Sequence, residues 1–272
     1  MHGPFCRGHK LRHYSSLSLS IVLAFLVAVV DGAQAADFTA EQVQALLAEA
    51  SVEKPIDLSG RDLSDLDLSN LQFKRARLVG ANLFATRLVS SNLEGADLRG
   101  ANLNGAWLMG TNLSRANLAG SSLLSLVILG GQIEQRPNFA GADLSGARVI
   151  ADLPGVNLSR ANLSGAKLGV DIRNQGMGQM RTDLSGADLS GADLSDADLN
   201  RSLLSFATLT GANLSHANLF RVKLVGADLG GADVTGADFS EADLEGAIFK
   251  QVLGLDRAKG LDRAVNRDKA IF

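Results

Sequence analysis

The chain has 272 residues, 46% of them hydrophobic but only 5% aromatic, with 29 Gly, 4 Pro, one Cys and a formal charge of -3. So few large side chains do not make an ordinary globular core, and a single cysteine excludes an intrachain disulfide framework. The length allows one large domain or two small ones, and the abundance of Gly, Ala, Leu, Asn and Asp points to repetition.

Residues 1–35 read as a secretory signal peptide. Arg7, Lys10 and Arg12 precede an apolar run from Leu17 to Val30, and Ala33, Gln34 and Ala35 form an A-x-A cleavage signal, which places cleavage near Ala35. The implied location is periplasmic or secreted. The apolar run falls short of the roughly 20 residues of a membrane span and nothing similar recurs, so no span remains after cleavage; an uncleaved anchor is the alternative. Cleavage leaves 23 bases against 28 acids, a formal charge of -5 with no basic patch for nucleic acid. It also removes Cys6, His2, His9 and His13, and His216 alone is left of those residue types.

Residues 36–54 carry a short capping helix: in "DFTAEQVQALLAEA", Thr39 and Gln42 form a capping-box pair ahead of Val43, Leu46 and Leu47. Over 55–168 an apolar residue then returns every fifth position, as in Leu58, Leu63, Leu68, Phe73 and Leu78, and over 184–250 it does so again from Leu184 to Phe249. Two positions earlier stands a small residue, as at Ala81, Ala96 and Ala101. Neither a helix of period 3.6 nor a strand of period 2 keeps such a repeat on one face. In the unit "GADLS" the Ala and Leu point to one side of extended backbone and the Asp to the other, while Ser and Gly supply a turn. A chain that turns the same way every five residues winds, and stacked windings satisfy one another's backbone groups.

The stretches "ANLNGA", "ADLSGADLSGADL" and "GANLSHANLF" resemble the A-(D/N)-L-x-x motif of pentapeptide repeat proteins, over about three quarters of the chain. The resemblance implies an all-β fold, a right-handed quadrilateral β-helix with about four pentapeptides per coil. The central Leu or Phe and the small residue two before it then point inward and the other three positions face solvent. The phase slips twice in the first half: "EQRPNF" inserts one residue between Ile133 and Phe139, and "IADL" removes one between Val149 and Leu153. The stretch 169–183, "GVDIRNQGMGQMRTD", has no good pentapeptide and reads as a loop or bulged coil joining two halves of one solenoid. Residues 251–272, with Leu255, Ala258, Leu261 and Ala264, supply a helical or irregular cap.

With four units per coil, residues about twenty apart are neighbours in space. Asp183, Asp188, Asp193 and Asp198 therefore lie on four different sides and diverge. The rows above them read Asp193, Asn213, Asp233; Asp198, Asn218, Asp238; Asp188, Thr208, Asp228, Ile248; and Asp183, Leu203, Lys223, Asp243. No Asp is expected to stand on another, as avoidance of like-charge contacts favours. No catalytic, cofactor-binding or metal-ligating set emerges: His216 has neither a second His nor a Cys, and the Gly-rich turns lack a phosphate-loop signature.

One side departs from the polar pattern. The row after the core residue reads Ser69, Val89, Met109, Leu129 and Ile150; the row before it reads Asp67, Arg87, Trp107, Val127, Arg148 and Lys167. With Phe84 and Leu124 on the adjoining side, these residues read as an outward apolar face, bounded by bases and suited to an unknown protein partner. A piece of the same chain folded over it is the other reading. The leading functional expectation is a non-enzymatic exported scaffold or protein-interaction module that uses no cofactor. The resemblance also implies an alternative, a DNA-mimicking inhibitor or protector of a type II topoisomerase, which the signal peptide and the diluted Asp rows disfavour. A metal-binding or enzymatic solenoid is the third reading.

Overall fold

The computed structural model of the protein describes residues 36–51, 53–128, 135–170 and 181–272. The expected signal peptide, Leu129, Ile133 and residues 171–180 lie outside them. Helix α1, Ala40–Glu49, opens on the capping box read from sequence: the Gln42 N–H donates to Thr39 Oγ1 at 3.3 Å and the Thr39 N–H to Gln42 Oε1 at 2.8 Å. Its Val43 is buried in the apolar core, and the segment before it is tied to the first coil by the Asp37 N–H on the Asp62 carbonyl, 2.8 Å.

From Asp57 the chain winds in four-sided coils. The residue before each core Leu forms a parallel bridge with its counterpart one coil on, and on the regular coils that counterpart is 20 residues later: Asp57 with Arg77, Asp62 with Asn82, Asp67 with Arg87, Gln72 with Asn92. These four pairs define the first to fourth sides. On each side the N–H of the core residue donates to a carbonyl of the coil above, as Leu83 to Asn102 at 2.7 Å, and the N–H of the residue before it donates to the coil below, as Asn82 to Arg61 at 2.9 Å. Most corners are β-turns closed by a bond such as Ala81 N–H to the Leu78 carbonyl, 3.0 Å, with positive φ at the third residue. In one place the sides lengthen into strands β1, Ser122–Leu124, and β2, Arg148–Ile150, which pair in parallel.

The core is a narrow column of Leu, Phe and Ala with almost no solvent exposure. Where a hydroxyl residue takes the Ala position, it donates to a buried carbonyl: Thr86 to Leu63 at 2.8 Å, Thr111 to Leu88 at 2.8 Å, and Thr182 within 2.7 Å of both Val149 and Leu168.

The irregular coils differ in part from expectation. Asn112 pairs with Asn138 and Asn117 with Asp143, an offset of 26, so the first excursion adds six residues and not one. Phe139 stacks over Leu113, the position that a one-residue insertion gives to Ile133. The next coil is one residue short, Asn138 with Asn157 and Arg148 with Lys167, as read around "IADL". The later break lengthens a coil to 31, Asp152 with Asp183 and Lys167 with Asp198, and leaves between the second side, at Leu168, and the third, at Leu184. Asp152 with Asp183 is also a correction, because here an Asp does stand on an Asp.

In place of a helical or irregular cap, residues 251–272 form one more coil, built of six-residue sides. Leu253, Lys259, Val265 and Ile271 bridge to Asp233, Asp238, Asp243 and Ile248, so the offset grows from 20 through 21 and 22 to 23. The extra residue at each corner forms a 3-10 turn: Leu255–Arg257, Leu261–Arg263 and Arg267–Lys269, preceded by left-handed Gly254, Gly260 and Asn266. Phe272 stacks on Phe249 with ring centroids 5.0 Å apart.

The acidic rows are structural in their contacts. Asp62 and Asp67 accept from the Ser two residues on through hydroxyl and backbone N–H, and Asp57 accepts from the Ser59 N–H at 3.0 Å; these hydrogen bonds hold the three carboxyls below the ordinary value. Asn stacked on Asp donates its amide to the carboxylate: Asn82 to Asp62 at 3.0 Å, Asn213 to Asp193 at 3.0 Å, Asn218 to Asp198 at 2.9 Å. A carboxyl whose folded pKa is depressed adds stability above its unfolded value, near 3.9, and loses it as pH falls through the folded one. The melting temperature, followed by circular dichroism, is therefore expected to be flat from about pH 7 to 5 and to fall below about pH 4. Combined Asp57→Asn, Asp62→Asn and Asp67→Asn keeps an acceptor at each site and flattens the acid limb; an unchanged limb would refute this role.

Corner side chains lie along the tower axis onto the next coil. The Phe206 ring covers Gly226, whose added Cβ would come within 2.7 Å of Cδ1 and Cε1, whereas a Cβ at Gly231 would meet nothing within 4 Å. Both glycines have positive φ, 65° and 67°. Gly231→Ala is expected to cost about 1 kcal/mol of unfolding free energy and Gly226→Ala clearly more, with the excess removed by Phe206→Gly. Equal losses at the two positions would show that the ring does not rest on Gly226.

Candidate functional site: the corner around Trp107

The third side carries the chain's lone Trp, bridged to Arg87 below and Val127 above. The Arg87 guanidinium lies 4.5 Å from the centre of the Trp107 ring, and its Nε is 3.6 Å from an Asp67 carboxylate oxygen. Asp67 is itself oriented by Ser69. A string of contacts thus runs up the tower, carboxylate to guanidinium to indole, and holds the exposed Arg87 side chain over a half-buried ring. A cation over an indole is worth about 0.5–1 kcal/mol at an exposed site.

Around the corner, the second side supplies Phe84, 48% exposed, three residues before Arg87. Two coils above Phe84 stands half-buried Leu124, whose N–H donates to Asn104 Oδ1 at 3.0 Å. Phe84, Arg87, Trp107, Leu124 and Val127 therefore flank one corner, between the second and third sides.

The remaining members of the expected face are elsewhere. Val89 and Met109 occupy the opposite end of the third side and are 6% and 3% exposed, so they are no outward surface. The chain itself encloses them; beside Met109, the Gly110 N–H donates to the Gln135 carbonyl at 2.7 Å, where the six-residue excursion rejoins the coil. Arg148 and Ile150 belong to the second side, over Ser122 and Leu124, because the excursion shifts the register by six residues and not one. Ile150 is 5% exposed, like its neighbour Ala151. Leu129 lies outside the described residues.

Phe206 is the outward residue that sequence reasoning missed. It is 69% exposed and holds a left-handed corner, φ 59°, where most units place Gly. An aromatic at the Gly position, in "SFATL", is the signal that would have found it. With half-buried Leu203 and Val225 it gives the second half its own apolar spot on the third side. Among the described residues no three His, Cys, Asp or Glu side chains gather as a metal site, and no helix is long and apolar enough to cross a membrane. The His216 ring lies over Gly236, 2.7 Å from where its Cβ would stand.

The family described as "Pentapeptide repeats" matches in eight copies, over residues 76–115, 151–169, 182–220 and 212–251. Among solved structures, the chain is similar to HetL, a pentapeptide repeat protein involved in heterocyst differentiation regulation in the cyanobacterium Nostoc sp. strain PCC 7120. The two are 32% identical over 86% of this chain and 100% of that one, with a TM-score of 0.37. QnrB1, a plasmid-mediated fluoroquinolone resistance protein, is 20% identical over 75% of this chain and 77% of its own, TM-score 0.36. A thylakoid-lumen pentapeptide repeat protein of Arabidopsis thaliana is 26% identical over 54% and 70%, TM-score 0.24. Curated protein sequences give no match. Pentapeptide repeat proteins form right-handed quadrilateral β-helices, and with its matched repeats and its four-sided coils of twenty residues this chain belongs to the pentapeptide repeat family.

Proposed function

We propose that this chain is an exported, non-catalytic protein-interaction module that docks a protein partner on the corner between its second and third sides. The observation that carries the reading is the Arg87 guanidinium held 4.5 Å over Trp107, beside the exposed Phe84. Trp and Arg are the residues in which interface energy concentrates, and a pair already ordered on a rigid tower loses little freedom when a partner arrives. The export half of the proposal rests on Arg7, Lys10 and Arg12, the apolar run from Leu17 and the A-x-A signal at Ala33 to Ala35. A duplex-DNA mimic needs a continuous acidic surface, and the rows here set Arg77 between Asp57 and Asp97, and Asn213 between Asp193 and Asp233.

A photo-crosslinking residue placed at 84 or 107 in expressing cells is expected to trap a discrete protein that the same residue at Asn213, on the first side, does not trap. Trp107→Ala is expected to weaken binding of that protein by about 30-fold, ~2 kcal/mol, while the melting temperature falls by only about 2–4 °C. Equal trapping at 213 would overturn the docking reading. The export reading predicts a mature chain that begins at Ala36 in a non-cytoplasmic fraction; a cytoplasmic product that keeps Met1 would overturn it.

A further inference from the structure

We propose that the fourth side of the first half is a second binding surface, a basic groove for an extended acidic segment of a protein. Its corner residues stack in a direct line. Arg75, Gly95, Arg115, Gly141, Arg160 and Gly191 follow one another up the tower, joined by corner bonds such as the Arg115 N–H to the Ala140 carbonyl, 3.0 Å, and the Arg160 N–H to the Ser190 carbonyl, 2.9 Å. Each arginine stem lies on the glycine above it, with Cγ 3.8, 3.6 and 3.7 Å from where that glycine's Cβ would be. Exposed guanidiniums therefore recur on every second coil with their stems held along the corner.

The charge of this side runs against that of the chain. From Gln72 the outward row continues as Asn92, Asn112, Asn138 and Asn157, all amides, and the first carboxylate in it is Asp188. Asn92 donates to Gln72 at 3.1 Å and Asn112 to Asn92 at 3.3 Å. At the lower end a groove of about 840 Å³ opens between the end of α1 and the corner, lined by Gln72, Lys74, Arg75, Glu94 and Arg115 among others. Arg115 and Arg160 continue it upward with Ser114 and Ser159, as far as Asp188, which closes its upper end.

The groove already holds one carboxylate of its own. Glu94, with only 20% of its side chain exposed, is bound by Lys74 at 2.8 Å from the coil below and by Arg115 from the coil above. Among the described residues Arg75 and Arg160 have no such ion-pair partner.

Spacing selects the ligand. Coils stack about 4.8 Å apart, so successive arginines are separated by roughly 9.6 Å. A peptide in the polyproline II conformation advances about 3.1 Å per residue with three residues per turn, which brings the carboxylates of every third residue onto one face about 9.3 Å apart. Guanidinium forks hold carboxylates through paired charge-assisted hydrogen bonds. A nucleic-acid duplex, with a charge about every 1.7 Å of its axis, offers far denser charge than three arginines neutralise.

The test is fluorescence anisotropy of the purified full-length chain with a labelled, C-terminally amidated peptide of three Glu-Ser-Thr repeats. The control peptide has the same composition with its three Glu adjacent, and a single-stranded oligonucleotide is a third probe. The spaced peptide is expected to bind more tightly than either. Combined Arg75→Glu and Arg160→Glu is expected to weaken it by about tenfold or more. Arg75→Gln with Arg160→Gln gives a smaller loss in the same direction and guards against a folding defect, which melting by circular dichroism reports. Glu94→Gln, which frees Lys74 and Arg115, tightens binding, and Trp107→Asp leaves it unchanged, which separates this groove from the Trp107 corner. The proposal is overturned if the clustered peptide or the oligonucleotide binds as tightly as the spaced peptide. It is also overturned if the spaced peptide does not bind, or if neither arginine pair alters its affinity.

Discussion

Everything in this molecule depends on the amide ladder between coils. Each side presents only a few residues to the coil above, and a single side of three would not hold a strand in place. The ladder works because the left-handed corner returns the chain to the same register every twenty residues, so Leu83 meets Asn102 and Leu88 meets Trp107 by one geometry. A net gain of about 1 kcal/mol per hydrogen bond is small, yet it recurs along the whole tower, over a core one Leu and one Ala deep on each side.

A tall stack of outward carboxylates would repel itself, and the sequence avoids this with amides more than with bases. Asn accepts the turn N–H as Asp does, since Asn82 takes that of Phe84, and it also donates to the Asp below it. An Asp–Asn row is therefore hydrogen-bonded lengthwise without excess charge. Asp183 over Asp152 breaks the rule at the edge of the longest excursion, where the coil is lengthened by eleven residues. In such a frame, departures from the common residue carry the information: Trp107 at a position where most units have Asp or Asn, Phe206 at a Gly corner, arginines alternating with glycine.

The winding was legible from sequence because five-residue periodicity admits no helix or flat strand, and the rows of the second half match the bridges residue for residue. The first excursion was not legible. Ile133 stands five residues beyond Ile128 and imitates a core position, so nothing in the sequence separates a single inserted residue from a loop of six. That one ambiguity moved Arg148 and Ile150 to the wrong side of the tower. Burial of Val89 and Met109 was hidden for a different reason, because it depends on where a distant part of the chain, such as Gln135, returns to the corner. The pairing of Arg87 with Trp107 follows from the twenty-residue rule alone and was within reach of the sequence.

The coil of residues 251–272 bears on how the tower meets other molecules. A stack of identical coils has no intrinsic end, and its final edge is a template on which another chain can pair. Here the six-residue sides carry the offset from 20 to 23 within one circuit, and each extra residue is taken up in a 3-10 corner while all four sides stay bridged to the coil beneath. The 3-10 corners set exposed charges around the rim, among them Arg257, Arg263, Arg267 and Lys269, and charge on an edge opposes pairing by a further chain. Such a rim is a poor template for a second chain even though Leu253, Val265 and Ile271 stay exposed along it.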